Sequence, residues 1–440
     1  MTLPQWFRNL LTPGIGVKRW LILLFVGLLA TAFGFALGIL RLMRLRDMLI
    51  NTALETGWLE IALITLVGGI AVMVGFLKLS RSLLAPYRRH MPTPVLDAVV
   101  SHSRRNKGMR VVAIGGGTGM PSVLRGLKAF TSNMTAVVTV ADDGGSSGRL
   151  RREFGVLPPG DLRNNIAALA DDESLMTQLF QYRFSKGDLG GHAFGNLFIT
   201  ALSGVTGSLE TALVETERVL NIQGRVLPAT LEEVTLTADI LLLDSSQAIT
   251  VRGESQISEA GGRIVHIGIL PERVEAFAGS VRAILEAEIV TIGPGSLYTS
   301  ILPNVLVGGI ADALRATDAY KIYICNIATQ PGETTGYSVA DHVLALEQHI
   351  GRGVFQLILA NSAFPSENAG ITRYVQLAPP HHEILQRYEV RYADLVDDER
   401  PWRHDPHKLG LAIMEACQAE RVYRVSTVRP VTVARNLNTV

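Results

Sequence analysis

The N-terminal part of the chain contains two long apolar runs. Residues 20–40 carry no charge, and residues 58–77 carry only Glu60, near one end of the run. Each run has about the 20 residues that an α-helix needs to cross the hydrocarbon core of a bilayer. The pattern therefore predicts two transmembrane helices. A cleaved signal peptide is the alternative for the first run, but no small-residue cleavage site follows it.

Basic residues predict the orientation of these helices, because Lys and Arg are enriched on the cytoplasmic side. They occur before the first run, in the connecting loop and after the second run: Arg8, Lys18, Arg19, Arg41, Arg44, Arg46, Lys78, Arg81, Arg88, Arg89, Arg104, Arg105 and Lys107. We expect residues 1–19 and a basic linker, 78–108, in the cytoplasm. The linker either lies near anionic headgroups or is a solvated connection. This predicts a two-pass protein of the inner cell membrane with its large domain in the cytoplasm.

After the linker, short apolar runs alternate with helical patterns. The candidate strands are residues 109–114, 135–140, 289–292, 321–325 and 355–359. Strands that are apolar on both faces and alternate with helices predict an α/β domain with a parallel sheet that is covered on both sides. Residues 226–269 alternate with period two and predict a β-rich insertion. The domain is predicted to span residues 109–425, followed by a flexible tail, 426–440.

Composition narrows the functional classes. The net charge of +1 gives no indication of a nucleic-acid partner. Two cysteines, Cys325 and Cys417, are too few for a disulfide scaffold or a cysteine-rich zinc site, and they suit a reducing compartment. No Ser-His-Asp, Cys-His or HExxH pattern is legible, so nucleophilic hydrolysis and zinc peptidase chemistry are not supported.

The first candidate motif is GGGTG, which follows the first predicted strand. Its residues are Gly115, Gly116, Gly117, Thr118 and Gly119. Glycines let backbone amides approach an anion, and the following helix directs its positive end the same way. The motif differs from the dinucleotide fingerprint because Met120 stands where GxGxxG requires glycine. Phosphate binding is favoured over a plain tight turn.

The second candidate motif, ADDGGSSG, follows the next predicted strand. It contains Asp142, Asp143, Gly144, Ser146 and Ser147. The two carboxylates either bind a divalent cation such as Mg²⁺, which would bridge to phosphate oxygens, or accept hydrogen bonds from sugar hydroxyls. An Asx-capped turn is the structural alternative.

Further polar residues occur in loops that precede helices. Asp161 is placed as a helix N-cap, a role that would by itself explain it, and Asn164 lies in the same polar group. His192 and Asn196 lie in GGHAFGN and either contact a ligand or are satisfied within the fold. Two later loops add the candidates Gly293, Gly295, Ser296, Tyr298, Asn326 and Thr329. Two loop sets that face one crevice could clamp an extended ligand such as a nucleotide sugar.

These motifs closely resemble the YvcK/CofD-like family, often called the gluconeogenesis factor family. The resemblance covers about residues 110–425 and is carried by VVAIGGGTG, TVADDGGSSGRLRREFG, PPGDLRNNIAALA, GHAFGN, IGPGSLYTSILPN and YICNIATQPGETTGYS. It implies a Rossmann-like three-layer fold, binding of a UDP-sugar such as UDP-N-acetylglucosamine, and a role in cell shape and carbon-source adaptation. The resemblance also implies that Tyr374 and Arg403 contact the sugar nucleotide.

Another branch of this family consists of 2-phospho-L-lactate transferases, which use a divalent metal held by aspartates. Asp142, Asp143 and Asp161 match that acidic set, but Arg163 stands where the transferase pattern PDLD has an acid. We therefore expect a regulatory binding protein, with a metal-dependent transferase as the alternative. An NAD-dependent oxidoreductase is disfavoured by Met120. The expected partners are a nucleotide sugar, the membrane, a second copy of the chain and the cell-wall synthesis machinery.

Overall fold

A computed structural model describes residues 17–42, 58–88, 105, 107–170, 174–242, 247–365 and 373–427. The chain forms two compact units, Met1–Ser101 and His102–Val440. Most of the predicted cytoplasmic N-terminus, the linker residues 89–104 and the tail residues 428–440 lie outside the described residues.

The first unit contains two long helices, α1 (Val17–Leu42) and α2 (Trp58–Arg88). Both are long and apolar enough to cross a membrane, over Trp20–Ile39 and Trp58–Leu79. The helices pack closely through glycines, since a Cβ atom added at Gly68 would lie 2.7 Å from the Thr31 amide nitrogen. Helix α2 continues to Arg88 and so includes the first residues of the predicted linker.

The second unit is built on a parallel sheet of seven strands. The strands are β1 (Val111–Gly115), β2 (Met134–Val138), β3 (Arg225–Pro228), β7 (Ile289–Ile292), β8 (Tyr320–Ile324), β9 (Leu357–Asn361) and β10 (Glu389–Ala393). In space their order is β10, β9, β8, β7, β1, β2 and β3. The residues of β1, β7, β8 and β9 are all buried. A sheet that is buried on both faces is sandwiched between helices, so the predicted three-layer α/β fold is confirmed.

Helices of varied length connect and cover these strands. They are α3 (Met120–Leu127), α4 (Gly145–Phe154), α5 (Gly160–Leu169), α6 (Leu175–Gln181), α7 (Phe194–Thr206), α8 (Leu209–Leu220), α9 (Glu254–Glu259), α10 (Ala278–Glu286), α11 (Leu302–Leu306), α12 (Gly308–Ala316), α13 (Val339–Ile350), α14 (Ile384–Arg387) and α15 (Pro406–Thr427), with a π-helical turn at Leu297–Ile301 before α11. The first two residues of the predicted tail belong to α15.

The β-rich insertion is a separate antiparallel sheet. It consists of β4 (Thr235–Leu242), β5 (Ala248–Arg252) and β6 (Gly262–Leu270), with β4 in the centre. The predicted insertion started at residue 226, which was wrong, because β3 pairs in parallel with β2 and belongs to the main sheet. The insertion sheet is therefore shorter than the sequence indicated.

The direction of the chain reverses at the centre of the main sheet. β1 lies between β2 and β7; the chain proceeds outward on one side through β2 and β3, and on the other through β7 to β10. In open α/β sheets, ligands bind at the carboxyl ends of the strands where such a reversal opens a crevice. The fold thus indicates the loops after β1 and β7 as the place to look for a ligand.

Glu217, on α8, links this helix to β3. The Val226 amide donates a hydrogen bond of 2.6 Å to its carboxylate. Burial raises the pKa of Glu217 to about 7, although the Val226 amide and Arg225 lower it. Between pH 4.5 and 7 the folded chain therefore keeps a proton on Glu217 that the unfolded chain releases. The free energy of unfolding falls as pH rises through this range.

We expect Glu217→Gln to stabilise the chain at high pH, because the amide keeps the hydrogen bond and carries no charge. The gain in the free energy of unfolding should be about 2 kcal/mol at pH 8 and near zero at pH 4.5. Thermal unfolding of the detergent-solubilised chain across this pH range measures it. Glu215→Gln, in the same helix but paired with Arg218 at the surface, is the control; an equal gain there would contradict the assignment.

Candidate ligand-binding site

The glycine loop Gly115–Gly119 lies at the carboxyl end of the central strand β1 and leads into α3. Two buried asparagines hold its carbonyl groups. Asn304 donates to the Gly115 oxygen at 3.0 Å, and Asn165 donates to the Gly116 oxygen at 3.1 Å. Within the described residues, the amides of Thr118 and Gly119 donate no hydrogen bond. The loop thus keeps amide donors available for an anion.

A second glycine turn, Gly293–Gly295, follows the neighbouring strand β7 and lies against the first. A Cβ atom added at Gly119 would lie 2.6 Å from the carbonyl carbon of Pro294. Asn326, after β8, fixes this turn: its side chain accepts from the Gly295 amide at 3.0 Å and donates to the Gly295 oxygen at 2.8 Å. Three neighbouring strands therefore place their loops at one crevice.

The crevice forms a cleft of about 550 Å³. It is lined by Thr118, Gly119, Ser122, Pro294, Gly295, Ser296, Asn326, Ile327, Ala328, Thr329, Gln330, Pro331, Arg373, Trp402, Arg403 and His404. The predicted residues Thr118, Gly119, Gly295, Ser296, Asn326, Thr329 and Arg403 are among them. Amides, hydroxyls, two guanidinium groups and a half-exposed indole ring suit a ligand with phosphate, sugar and a planar base.

His404 lines this cleft as well. Its Nε2 lies 3.1 Å from the Cys325 carbonyl oxygen. Burial lowers the pKa of His404 to about 4, so the ring is neutral near pH 7. A neutral ring next to a carbonyl oxygen donates its Nε2 proton there. The Nε2 side of His404 therefore serves the fold at this point.

A group of carboxylates lies on the other side of the glycine loop. Cβ atoms added at Gly116 and Gly117 would contact the Asp161 carboxylate, at 3.0 Å in the case of Gly116. Burial and the charge of Asp142 raise the pKa of Asp161 to about 7. Burial raises the pKa of Glu254 to about 8. Neighbouring carboxylates add to this rise, and Asp142 contributes the most among them. Glu254 was not predicted from the sequence, because it belongs to the insertion.

Asp161 is not the N-cap of α5, contrary to the sequence prediction. The helix begins at Gly160 after Pro159, so Asp161 lies in its first turn. Its carboxylate accepts a hydrogen bond from the Gly117 amide instead. Pro159 and Gly160 supply the turn into the helix, and this leaves Asp161 free to face the glycine loop.

The predicted metal pair, Asp142 and Asp143, serves two different elements. Asp142 accepts from the Gly144 amide at 2.9 Å, whereas Asp143 accepts from the amide and hydroxyl of Ser255 at 3.0 and 2.8 Å. Within the part of the chain that the structure describes, no three His, Cys, Asp or Glu side chains converge to hold a metal ion. Each carboxylate of the predicted pair is thus already engaged by donors of the protein itself.

Several other predicted residues bind to each other. Ser146 lies 3.0 Å from His192 Nδ1 and accepts from Asn196 at 3.0 Å, and all three are buried. These contacts tie the start of α4 to α7. Ser147 accepts from the Gly160 amide at 3.0 Å, and Asn164 accepts from Arg163 at 2.5 Å.

Two predicted aromatic residues lie outside the lining of the cleft. The Tyr298 hydroxyl is 2.9 Å from that of Tyr337. Tyr374 is buried and forms a β-bridge with Ala328, which places its neighbour Arg373 in the cleft. Gly144 is the N-cap of α4, and Gly293 starts the second glycine turn.

Fold and crevice together define a Rossmann-like α/β protein with a polar cleft at a topological switch point. The family model described as "2-phospho-L-lactate transferase CofD" matches residues 111–415. The chain therefore belongs to the YvcK/CofD-like family, and the resemblance seen in its motifs is confirmed.

Relatives differ in how much of the chain they match. A relative from Nostoc sp. is 43% identical over 433 residues, which cover 93% of this chain and 92% of that protein. The gluconeogenesis factor of Bacillus subtilis is 43% identical over 313 residues, which cover 70% of this chain and 97% of that protein. The Nostoc match must extend into the first unit, whereas the Bacillus protein has about the length of the second unit.

A solved structure agrees with the fold. The crystal structure of a UPF0052 family member from Bacillus halodurans superposes with a TM-score of 0.66 at 40% identity. It covers 70% of this chain and 99% of that protein. The fold of the second unit is therefore that of its relatives.

Proposed function

We propose that the chain is a membrane-tethered regulatory protein that binds a UDP-sugar of the UDP-N-acetylglucosamine type and leaves it intact. The observation that carries the proposal is the cleft of about 550 Å³, which joins the amides of two glycine turns to Arg373, Arg403 and Trp402. Amides and guanidinium groups suit a diphosphate, and an indole ring suits a planar base. The volume of the cleft is in the range of ligand pockets.

The side chains of the cleft support binding without turnover. The imidazole of His404 donates to a backbone carbonyl, and the hydroxyl of Ser296 accepts from Gln330 at 2.7 Å. An activated nucleophile needs a base within hydrogen-bond reach, and these two groups are instead engaged within the protein.

The names of the relatives and the two apolar helices support the cellular part of the proposal. The Bacillus subtilis relative is named gluconeogenesis factor, and we place this chain in the control of cell shape during gluconeogenic growth. Helices α1 and α2 would hold it in the inner membrane with the second unit in the cytoplasm. A second copy and the cell-wall synthesis machinery are the proposed partners.

A metal-dependent transferase of the 2-phospho-L-lactate type is the second candidate. The carboxylates of Asp142, Asp161 and Glu254, which interact electrostatically beside the glycine loop, favour it. Asp142 and Asp143 are each engaged by donors of the protein itself, so the first proposal stands ahead of it.

We expect Arg403→Ala to weaken binding of UDP-N-acetylglucosamine about tenfold, because a hydrogen bond to a charged group contributes about 1.5–3 kcal/mol. Calorimetric titration of the detergent-solubilised full chain measures this change. Arg273→Ala, which removes an exposed arginine remote from the cleft lining, should bind like the unaltered chain. Failure of the unaltered chain to bind, or full affinity in Arg403→Ala, would overturn the proposal.

A further inference from the structure

A second cavity lies at the edge of the main sheet where the strands begin, away from the edge that carries the ligand cleft. Its volume is about 360 Å³. Arg110, which directly precedes β1, and Arg225, the first residue of β3, both line it. Because β1 and β3 run parallel on either side of β2, their first residues come to the same edge. The topology therefore brings two arginines to one cavity.

Helix α10 contributes a third arginine. Gly279, Arg282, Ala283 and Glu286 line the cavity, and their spacing of three and four residues is that of one helix face. The carbonyl oxygen of Glu286, at the end of α10, accepts a hydrogen bond of 2.7 Å from Arg110 Nε. This contact holds the Arg110 side chain beside α10, so the guanidinium groups come from three different elements.

The three guanidinium groups of this cavity are not paired with carboxylates. Among the residues that the structure describes, no ion pair includes Arg110, Arg225 or Arg282. The side chains of Arg225 and Arg282 also donate no hydrogen bond there. Glu286 is the one carboxylate in the described lining. The cavity therefore carries a positive charge with unused hydrogen-bond donors.

We propose that this cavity is an anion site that binds a phosphate group. Guanidinium groups match the geometry of phosphate oxygens, and like charges around one concave surface attract a counter-ion. Its volume is in the range of small-ligand pockets. The site is separate from the ligand cleft and does not depend on the proposed function.

The phosphate group has two chemical sources. One is the headgroup of an anionic phospholipid, and the other is a soluble phosphate monoester. The chain enters the second unit at this cavity, since Arg110 follows the basic segment that leads from α2. A chain held in a membrane by α1 and α2 would have lipid headgroups at high local concentration, and a soluble ester would reach the same donors from solution.

Hydrogen–deuterium exchange of the full chain in lipid nanodiscs locates the anion and separates the two sources. Three samples are compared: phosphatidylcholine nanodiscs, the same nanodiscs with sn-glycerol 3-phosphate in solution, and nanodiscs that also contain phosphatidylglycerol. A bound ligand slows exchange through local opening by the factor 1 + [L]/Kd. We expect the amides of α10 to exchange about tenfold more slowly once the phosphate is near ten times its Kd. Slowing by glycerol 3-phosphate assigns a soluble ester, and slowing by phosphatidylglycerol assigns a headgroup.

Variants of the cavity test whether its arginines bind the anion. The double variant Arg225→Gln/Arg282→Gln should lose the slowing, because two of the three guanidinium groups are removed. Arg218→Gln/Arg273→Gln changes the net charge equally at exposed arginines outside the cavity lining and should keep it. If the double variant does not fold, Arg282→Gln alone removes a side chain without partners and should weaken phosphate binding about fivefold.

Two results would overturn the proposal. One is unchanged exchange of α10 in both phosphate-containing samples. The other is equal slowing in the cavity variant and in the control variant, which would show that the anion acts elsewhere on the chain. Affinity for UDP-sugars is measured separately at the cleft, so neither result bears on the proposed function.

Discussion

Replacing Gly119 with alanine is expected to lower the affinity for UDP-N-acetylglucosamine about 100-fold. A Cβ atom at this position would lie 2.6 Å from the Pro294 carbonyl carbon and 2.8 Å from the Gly295 amide nitrogen. These are backbone atoms that cannot rotate away, so the two glycine turns must move apart. A factor of 100 corresponds to about 2.7 kcal/mol, which is within the usual cost of overpacking.

Calorimetric titration of folded Gly119→Ala measures this loss. Gly308→Ala is the matched control, because Gly308 begins α12 and a Cβ atom there would meet nothing within 4 Å. Full affinity in a folded Gly119→Ala chain would contradict the assignment of the ligand to the crevice between the two turns.

Replacing Gly126 with alanine is expected to destabilise the second unit by about 3 kcal/mol. Helices α3 and α15 cross here in backbone contact: a Cβ atom at Gly126 would meet the Pro406 carbonyl oxygen, and it would lie 3.1 Å from Gly410 Cα. Since α3 begins at the glycine loop, this packing also holds the loop in place. The helices cannot approach as closely once a methyl group separates them.

Chemical denaturation of the solubilised chain measures this effect, with Gly204→Ala as its control. Gly204 lies in α7, and a Cβ atom there would meet nothing within 4 Å. Alanine should stabilise that helix by up to about 1 kcal/mol, since it has the higher helix propensity. Equal stability changes in the two variants would contradict the close helix crossing.

Burial made the central strands predictable from the sequence. β7 was predicted at its observed bounds, and β8 and β9 within two residues, because strands covered on both faces are continuous apolar runs. β10 was missed since it lies at the sheet edge and reads EVRYA, with only partly buried or exposed residues. β3 has four residues and ends in proline, so it was taken as part of the insertion.

Most of the predicted residues that line the cleft are glycines and polar residues that directly follow a strand. The loops after β1, β7 and β8 meet in one cleft because parallel strands end at the same edge of the sheet. Arg373 and Trp402 were missed although their neighbours Tyr374 and Arg403 were predicted, and Glu254 was missed because it belongs to the insertion. The asparagines that hold the glycine loop, Asn165 and Asn304, lie within motifs, but only the three-dimensional contacts reveal their role.

The most direct test of the central claim is a titration of the full chain with UDP-N-acetylglucosamine, with and without Mg²⁺, followed by analysis of the recovered ligand. We predict saturable binding, the same affinity in both conditions, and recovery of the ligand unchanged. Ligand that is broken down, or binding that requires Mg²⁺, would contradict this account and favour a metal-dependent transferase.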